Sequence, residues 1–260
     1  MVFEIFSNVP RYSVLPESDG RLKELLNYNP ALIKYSKNPT QIKLGRTPGE
    51  TDRGGWRGYD RVYSKYFYPK QAEPLEILEI GIERGYGLLT WARYFGNAHV
   101  TGIDLPNHPF TPRNKVEQEK IAKQFTEYDR VTRLFFNTTV PDKWDAVGDK
   151  LFDIIIDDGG HNPDTQTATF SSAWSRLKPG GLYFIEDISH RYSDQKLLKL
   201  DNLLSKIKRQ GHTLEVYSHN NIGLSSMLNN SNKVLKYSGV ASDAPNNSEE
   251  YIAVIEKYNG

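Results

Sequence analysis

The stretch D-I-I-I-D-D-G-G-H-N-P-D-T-Q (residues 153–166), continued by W-S-R-L-K-P-G-G-L-Y-F-I-E-D (residues 174–187), decides how this chain is read. An apolar run ends in Asp157 and Asp158, followed by a glycine pair and His161. A helix is expected over Thr165–Leu177. A Pro179-Gly180-Gly181 turn then starts a second apolar run ending in Glu186-Asp187. Short apolar runs bounded by glycine and acids read as buried strands, and strand–helix–strand is a right-handed crossover between parallel strands. Both strands therefore carry acids, and one imidazole, to the same edge of a sheet.

The alternation extends in both directions. Upstream, L-E-I-L-E-I-G (75–81) is a strand, G-Y-G-L-L-T-W-A-R-Y-F (85–95) a helix and A-H-V-T-G-I-D (98–104) a second strand. A helix over Val116–Tyr128, a strand R-V-T-R-L-F-F-N (130–137) and a short helical piece over Trp144–Lys150 lead to the fourth strand at 152–158. After the fifth strand come a helix over Leu197–Gln210 and two alternating runs, H-T-L-E-V-Y-S (212–218) and E-Y-I-A-V-I-E-K (250–257). These two would close the sheet as an antiparallel pair, with a polar insertion between them. The expected class is α/β: a mostly parallel seven-stranded sheet with helices on both faces.

Residues 1–70 read as an N-terminal extension, and residues 71–260 as the main domain. The extension carries a helix over Gly20–Tyr28. In a second helix Tyr59, Val62, Tyr63, Tyr66 and Phe67 recur at helical spacing, an aromatic stripe for packing or for part of a lid. Trp56 and Tyr59 are equally placed for a substrate pocket or for ordinary packing.

Composition excludes several classes. The net charge is +1 and no dense Lys/Arg run occurs, so neither nucleic acid nor a membrane surface is an expected partner. Cysteine is absent, which removes disulfides, thiolate metal sites and cysteine nucleophiles, so any metal takes oxygen or imidazole ligands. No apolar run approaches the roughly 20 residues that span a bilayer. The first residues lack a basic, then apolar, leader pattern, so a cytoplasmic location is expected. The aromatic N-terminal segment leaves a homo-oligomer open.

E-I-G-I-E-R-G-Y-G (79–87) follows the first strand and opens a helix. Gly81 and Gly85 allow a sharp turn and close approach to a ligand. Asp104, ending the second strand, stands where an acid accepts ribose hydroxyls. The spacing is not G-x-G-x-x-G, and Glu79 places a negative charge before the first glycine. That charge disfavours a pyrophosphate and suits a cationic or zwitterionic ligand, S-adenosylmethionine rather than NAD.

The segments L-E-I-G-I-E-R-G-Y-G and V-T-G-I-D-L resemble the first two motifs of class I S-adenosylmethionine-dependent methyltransferases, over about Leu75–Leu182. The resemblance implies a Rossmann-like fold, with Asn137 or Thr138 near the adenine and Asp157 near the methionine end of the cofactor. I-I-D-D-G-G-H followed by P-G-G-L-Y-F-I-E-D resembles, more narrowly, the mycinamicin-type macrolide-sugar O-methyltransferases grouped with cephalosporin-hydroxylase-like proteins. G-E-T-D-R-G-G resembles that subgroup's G-T-D-K segment. The chain departs from the pattern at Gly160, where serine is usual, and at Arg53, where lysine is usual. The narrower resemblance implies a divalent cation, Mg²⁺, on Asp158, Glu186 and Asp187, and a catalytic role for His161 as general base beside Asp158.

The residues themselves leave three readings of this set open. They fit a metal and base site, a carboxylate-lined site without metal, or strand-end acids that cap turns beside a hydrogen-bonded histidine. Successive strand residues face opposite sides, so Glu186 and Asp187 reach one ion only if the strand has ended. Asp164 is expected to cap the following helix, and Gln166 to orient its neighbours. His190 and His219 read as loop histidines. The resemblance implies transfer of a methyl group to a hydroxyl of a small-molecule acceptor, a glycosylated natural product or sugar derivative. The alternatives are a non-methylation reaction such as cyclisation or isomerisation on the same fold, and a non-catalytic binding module.

Overall fold

Seven of the expected runs form one sheet in the computed structural model, which describes residues 3–9, 15, 19–27, 53, 59–83, 85–106, 129–189, 192–218 and 250–259. The strands are β1 (Glu76–Ile80), β2 (His99–Asp104), β3 (Val131–Phe135), β4 (Phe152–Asp157), β5 (Leu177–Ser189), β6 (Thr213–Ser218) and β7 (Glu250–Glu256). Their order is β3-β2-β1-β4-β5-β7-β6. The pairs β1–β2, β1–β4, β2–β3 and β4–β5 are parallel. The end of β7 meets the starts of both its neighbours. Lys257 exchanges backbone hydrogen bonds with Gly180 and Gly181, and the Tyr258 N–H donates to His212 Nδ1 at 2.9 Å. β7 therefore runs against them, as the alternating patterns predict.

The described helices are α1 (Gly20–Asn27), α2 (Tyr59–Phe67), α3 (Tyr86–Tyr94), α4 (Pro163–Ala173) and α5 (Asp194–Arg209). The helix expected over Val116–Tyr128, as well as Trp56, His190 and His219, lies outside the described residues. No described helix is long and apolar enough to cross a membrane. The described residues fall into two compact units: one within Met1–Val9, Gln71–Val216 and Tyr251–Gly260, the other within Pro10–Lys70 and Tyr217–Glu250.

The first unit's core is built on the sheet. Ile154, Ile155 and Ile156 of β4 and Tyr183, Phe184 and Ile185 of β5 are fully buried, the mark of strands covered on both faces. The N-terminal residues join this core. Asp201 on α5, 1% exposed, accepts the backbone N–H groups of Glu4, Ile5 and Phe6 at 2.8, 2.9 and 3.0 Å. Phe6 packs on Tyr251 with ring centroids 5.4 Å apart.

In the second unit, Asp19 caps α1 by accepting the Leu22 N–H at 3.1 Å, and its own N–H donates to Ser64 Oγ on α2 at 2.9 Å. Leu22, Leu26, Tyr59, Val62, Tyr63 and Phe67 are fully buried. The aromatic stripe is therefore packed, with Tyr63 and Phe67 in ring contact at 4.9 Å.

Three local expectations are corrected. Pro179-Gly180-Gly181 is not a turn ahead of β5 but an irregularity within it. Phe152 pairs with Leu177 and Ile154 with Leu182, so Lys178–Gly181 form a bulge on the β5 side. Asp164 does not cap α4. Asn162 does, accepting the Asp164 N–H at 3.0 Å, because Pro163 presets helical φ and has no N–H to leave unsatisfied. The piece expected at Trp144–Lys150 is a 3-10 helix over Pro141–Val147, again begun by proline.

Candidate active site

The sheet order reverses between β1 and β4. In open α/β sheets ligands bind outside the carboxyl ends of the strands at such a point. Both loops leaving it are bound to the sheet: the Gly81 N–H donates to the Ile103 carbonyl at 2.8 Å, and the Asp158 N–H to the Ile80 carbonyl at 2.9 Å. They also touch each other. A Cβ on Gly81 would stand 2.1 Å from the Asp158 carbonyl oxygen, and Gly81 has φ +86°. Gly85, φ +83°, begins α3.

Around this junction stand the predicted acids. Glu79 on β1 is 1% exposed. Asp104 at the end of β2 is also buried, and its carboxylate is engaged with the glycine loop. Oδ2 accepts the N–H groups of Ile82 at 3.2 Å and Glu83 at 2.7 Å, and Oδ1 that of Leu105 at 2.7 Å. Asp104 thus shapes the loop as well as lying at its mouth. Asn137 is exposed after β3, its Oδ1 accepting from the backbone N–H and the hydroxyl of Thr139. The same loop is fastened by Thr138, whose hydroxyl lies 3.1 Å from that of Thr169 on α4.

Asp157 and Asp158 part company. Asp157 is buried, its oxygens accepting from the Gly159 N–H at 3.3 Å and the Tyr183 hydroxyl at 3.2 Å. Burial pushes its carboxyl up to about 7, against the pull of those two donors; Asp158 pushes the same way as burial, and His161 pulls down. Asp158 is part-exposed and lies beside His161, with Oδ1 3.3 Å from Nε2. On the other side of the ring, Asp187 Oδ2 lies 3.5 Å from His161 Nδ1.

Asp158, His161 and Asp187 each offer one ligand atom, all within 4.8 Å of one another. Two carboxylates and an imidazole are a donor set a divalent cation accepts, so the residues fit such an ion. Glu186 is not among these three. It is 2% exposed, and its backbone carbonyl accepts Gln166 Nε2 at 2.9 Å. Asp187 has φ +54°, a left-handed conformation rare for a residue with a Cβ. That residue breaks the strand's alternation, which brings the acid of β5 beside those of β4.

Two residues here were missed in the sequence. Tyr183, fully buried, puts a phenol in an apolar strand, and such a hydroxyl needs a partner, here Asp157. Gly102 lies under the glycine loop, where a Cβ would meet Ile82 and Leu88 side chains at 2.6 Å. The G-x-D spacing was the available sign.

Residues 78–188 match a family described as a methyltransferase domain. Among curated proteins, an 8-demethyl-8-alpha-L-rhamnosyl tetracenomycin-C 2'-O-methyltransferase of Streptomyces olivaceus is 28% identical over 149 residues, 55% of this chain and 36% of that protein. The mycinamicin VI 2''-O-methyltransferase of Micromonospora griseorubida is 26% identical over 138 residues, 50% of this chain and 31% of that protein. The match thus spans about a third of each relative's length. Among solved structures, the MycE methyltransferase from the mycinamycin biosynthetic pathway, in complex with Mg and SAH, superposes with a TM-score of 0.51 at 19% identity. It covers 89% of this chain and 56% of that one, and the likeness establishes the fold.

Proposed function

We propose that this chain, whose residues 78–188 match a methyltransferase-domain family, transfers a methyl group from S-adenosylmethionine to a hydroxyl of a sugar-bearing natural product or sugar derivative, with Mg²⁺ as the resident cation. The observation that carries the reading is the gathering of Asp158, His161 and Asp187 beside the glycine loop at the switch point of the sheet. The two relatives support it, since both are named as O-methyltransferases and the first is named for a rhamnosyl compound. The same names support methyl transfer over cyclisation or isomerisation.

Gly81 and Gly85 leave the room a cofactor needs against the backbone. Asp104 holds the loop and keeps one Oδ1 lone pair for a ribose hydroxyl, with Asn137 towards the adenine. Glu79 and Asp157 set buried carboxyl groups towards the cationic end of the cofactor. S-adenosylmethionine, when bound, supplies an electrophilic methyl group on a sulfonium. Asp158 and Asp187 would hold Mg²⁺, which when bound would position a neighbouring hydroxyl and lower its pKa. His161, about half exposed, takes the hydroxyl proton on a ring nitrogen as general base. Little charge builds up on the methyl itself, so alignment of the two reactants dominates the rate.

The test is transfer of label from methyl-labelled S-adenosylmethionine to a panel of rhamnosyl, deoxyhexosyl and unsubstituted aglycone acceptors, with Mg²⁺ or with chelator. Labelling of glycosides alone, lost with chelator and restored by Mg²⁺, is expected. Labelling that is indifferent to chelator, or confined to sugar-free acceptors, would refute the reading.

A further inference from the structure

Gln166 lies on α4, one turn into the helix, and is 2% exposed. A buried primary amide has two donors and an acceptor to satisfy. Its Nε2 donates to the Glu186 carbonyl at 2.9 Å, across 20 residues of sequence. The reverse orientation of the amide would set two oxygens against each other, so the donor requirement fixes which way it points. Its Oε1 is buried and has no hydrogen-bond partner. Gln166 therefore leaves one polar atom unsatisfied while keeping this single contact.

That contact bears on a particular torsion. The Glu186 carbonyl belongs to the peptide plane between residues 186 and 187, and φ of Asp187 is the rotation of that plane about the Asp187 N–Cα bond. Asp187 holds φ +54°, a conformation that is strained for a residue with a Cβ. Such conformations persist only where surrounding contacts over-determine them. A flip of the 186–187 plane would relieve the cost. It would also turn the Glu186 carbonyl away from Gln166 and return Asp187 to strand alternation, with its carboxylate on the opposite face from His161. The buried hydrogen bond, together with the penalty for leaving a buried carbonyl without one, is of the size needed to balance the torsion.

We infer that Gln166 is the positioning residue that pins the Glu186–Asp187 peptide so that Asp187 meets Asp158 and His161. Its consequence for cation affinity rests on the reading under Proposed function; its consequence for the backbone does not. Gln166→Met fills the same space without a donor, and Gln166→Glu keeps the shape but replaces the donor by an acceptor. Mg²⁺ and S-adenosylmethionine affinities are measured by calorimetry on the full chain, and both variants are crystallised. The expected result is a five- to tenfold loss of Mg²⁺ affinity, on the order of what a partly depopulated binding conformation gives, with S-adenosylmethionine affinity within about twofold of wild type. The crystals should show Asp187 at negative φ in at least one variant. Unchanged Mg²⁺ affinity with Asp187 still left-handed in both variants overturns the inference. If the wild-type chain binds no Mg²⁺, the cation reading fails, and the φ of Asp187 in the variants still decides the role of Gln166.

Discussion

Gly81→Ala is the sharpest test of the two-loop junction. The added Cβ would stand 2.1 Å from the Asp158 carbonyl oxygen, 2.6 Å from its carbon and 2.7 Å from Gly159 Cα. All three are backbone atoms, more than an ångström short of ordinary contact for the closest, and no rotamer change can move them. Overpacking against a backbone costs about 1–3 kcal/mol. The left-handed φ of +86° adds about 1–2 kcal/mol for alanine. Gly211, just past α5, separates the two effects. It has φ +90° but nothing within 4 Å of its Cβ position, so Gly211→Ala should cost only the torsional part, about 1 kcal/mol. Urea unfolding of both variants should therefore place Gly81→Ala about 1–3 kcal/mol below Gly211→Ala. Because Asp158 sits across the contact, Gly81→Ala should also lose activity on the order of a hundredfold, the scale of a 1 Å misplacement. Equal stability of the two variants, with full activity in Gly81→Ala, would refute the packing account.

Asp201→Ala should lower stability by about 3 kcal/mol, because three backbone donors of residues 4–6 lose a charged acceptor; Asp201→Asn, which keeps one acceptor oxygen, should cost about half as much by urea unfolding. Susceptibility of the N-terminal residues to aminopeptidase should rise in the same order. His212 is held neutral: burial first, and then the Lys257 charge, lower its pKa below the ordinary 6.5, and its Nδ1 accepts the Tyr258 N–H. The unfolded chain takes up that proton first, so this stability is complete above pH 6.5 and is lost as pH falls towards the lower folded value. His212→Gln should flatten the decline in melting temperature between pH 7 and 5, and an unaltered slope would count against the assignment.

Much of the fold was legible because its strands are buried on both faces and read as continuous apolar runs, as at Ile154–Ile156. The acid-bearing ends followed from the same runs. What sequence did not reveal has specific causes. The bulge over Lys178–Gly181 is set by pairing with β4 and the end of β7, which no local pattern encodes. Asp164 lost the cap of α4 to Asn162 because Pro163 dictates the first helical position. Asp201 was overlooked although it falls on the stripe of Leu197, Leu200 and Leu204, where an acid signals a buried partner. The orientation of Asp187 was undecidable, because the left-handed residue that breaks strand alternation there is announced by nothing in Glu-Asp.

The measurement that bears most directly on the proposed chemistry is calorimetric titration of S-adenosylmethionine and Mg²⁺ into the wild-type chain and into Asp158→Ala. The account predicts that wild type binds both, and that Asp158→Ala keeps S-adenosylmethionine within about threefold while losing at least about tenfold in Mg²⁺ affinity. Failure of the wild-type chain to bind S-adenosylmethionine, or Mg²⁺ binding by Asp158→Ala at wild-type affinity, would contradict it.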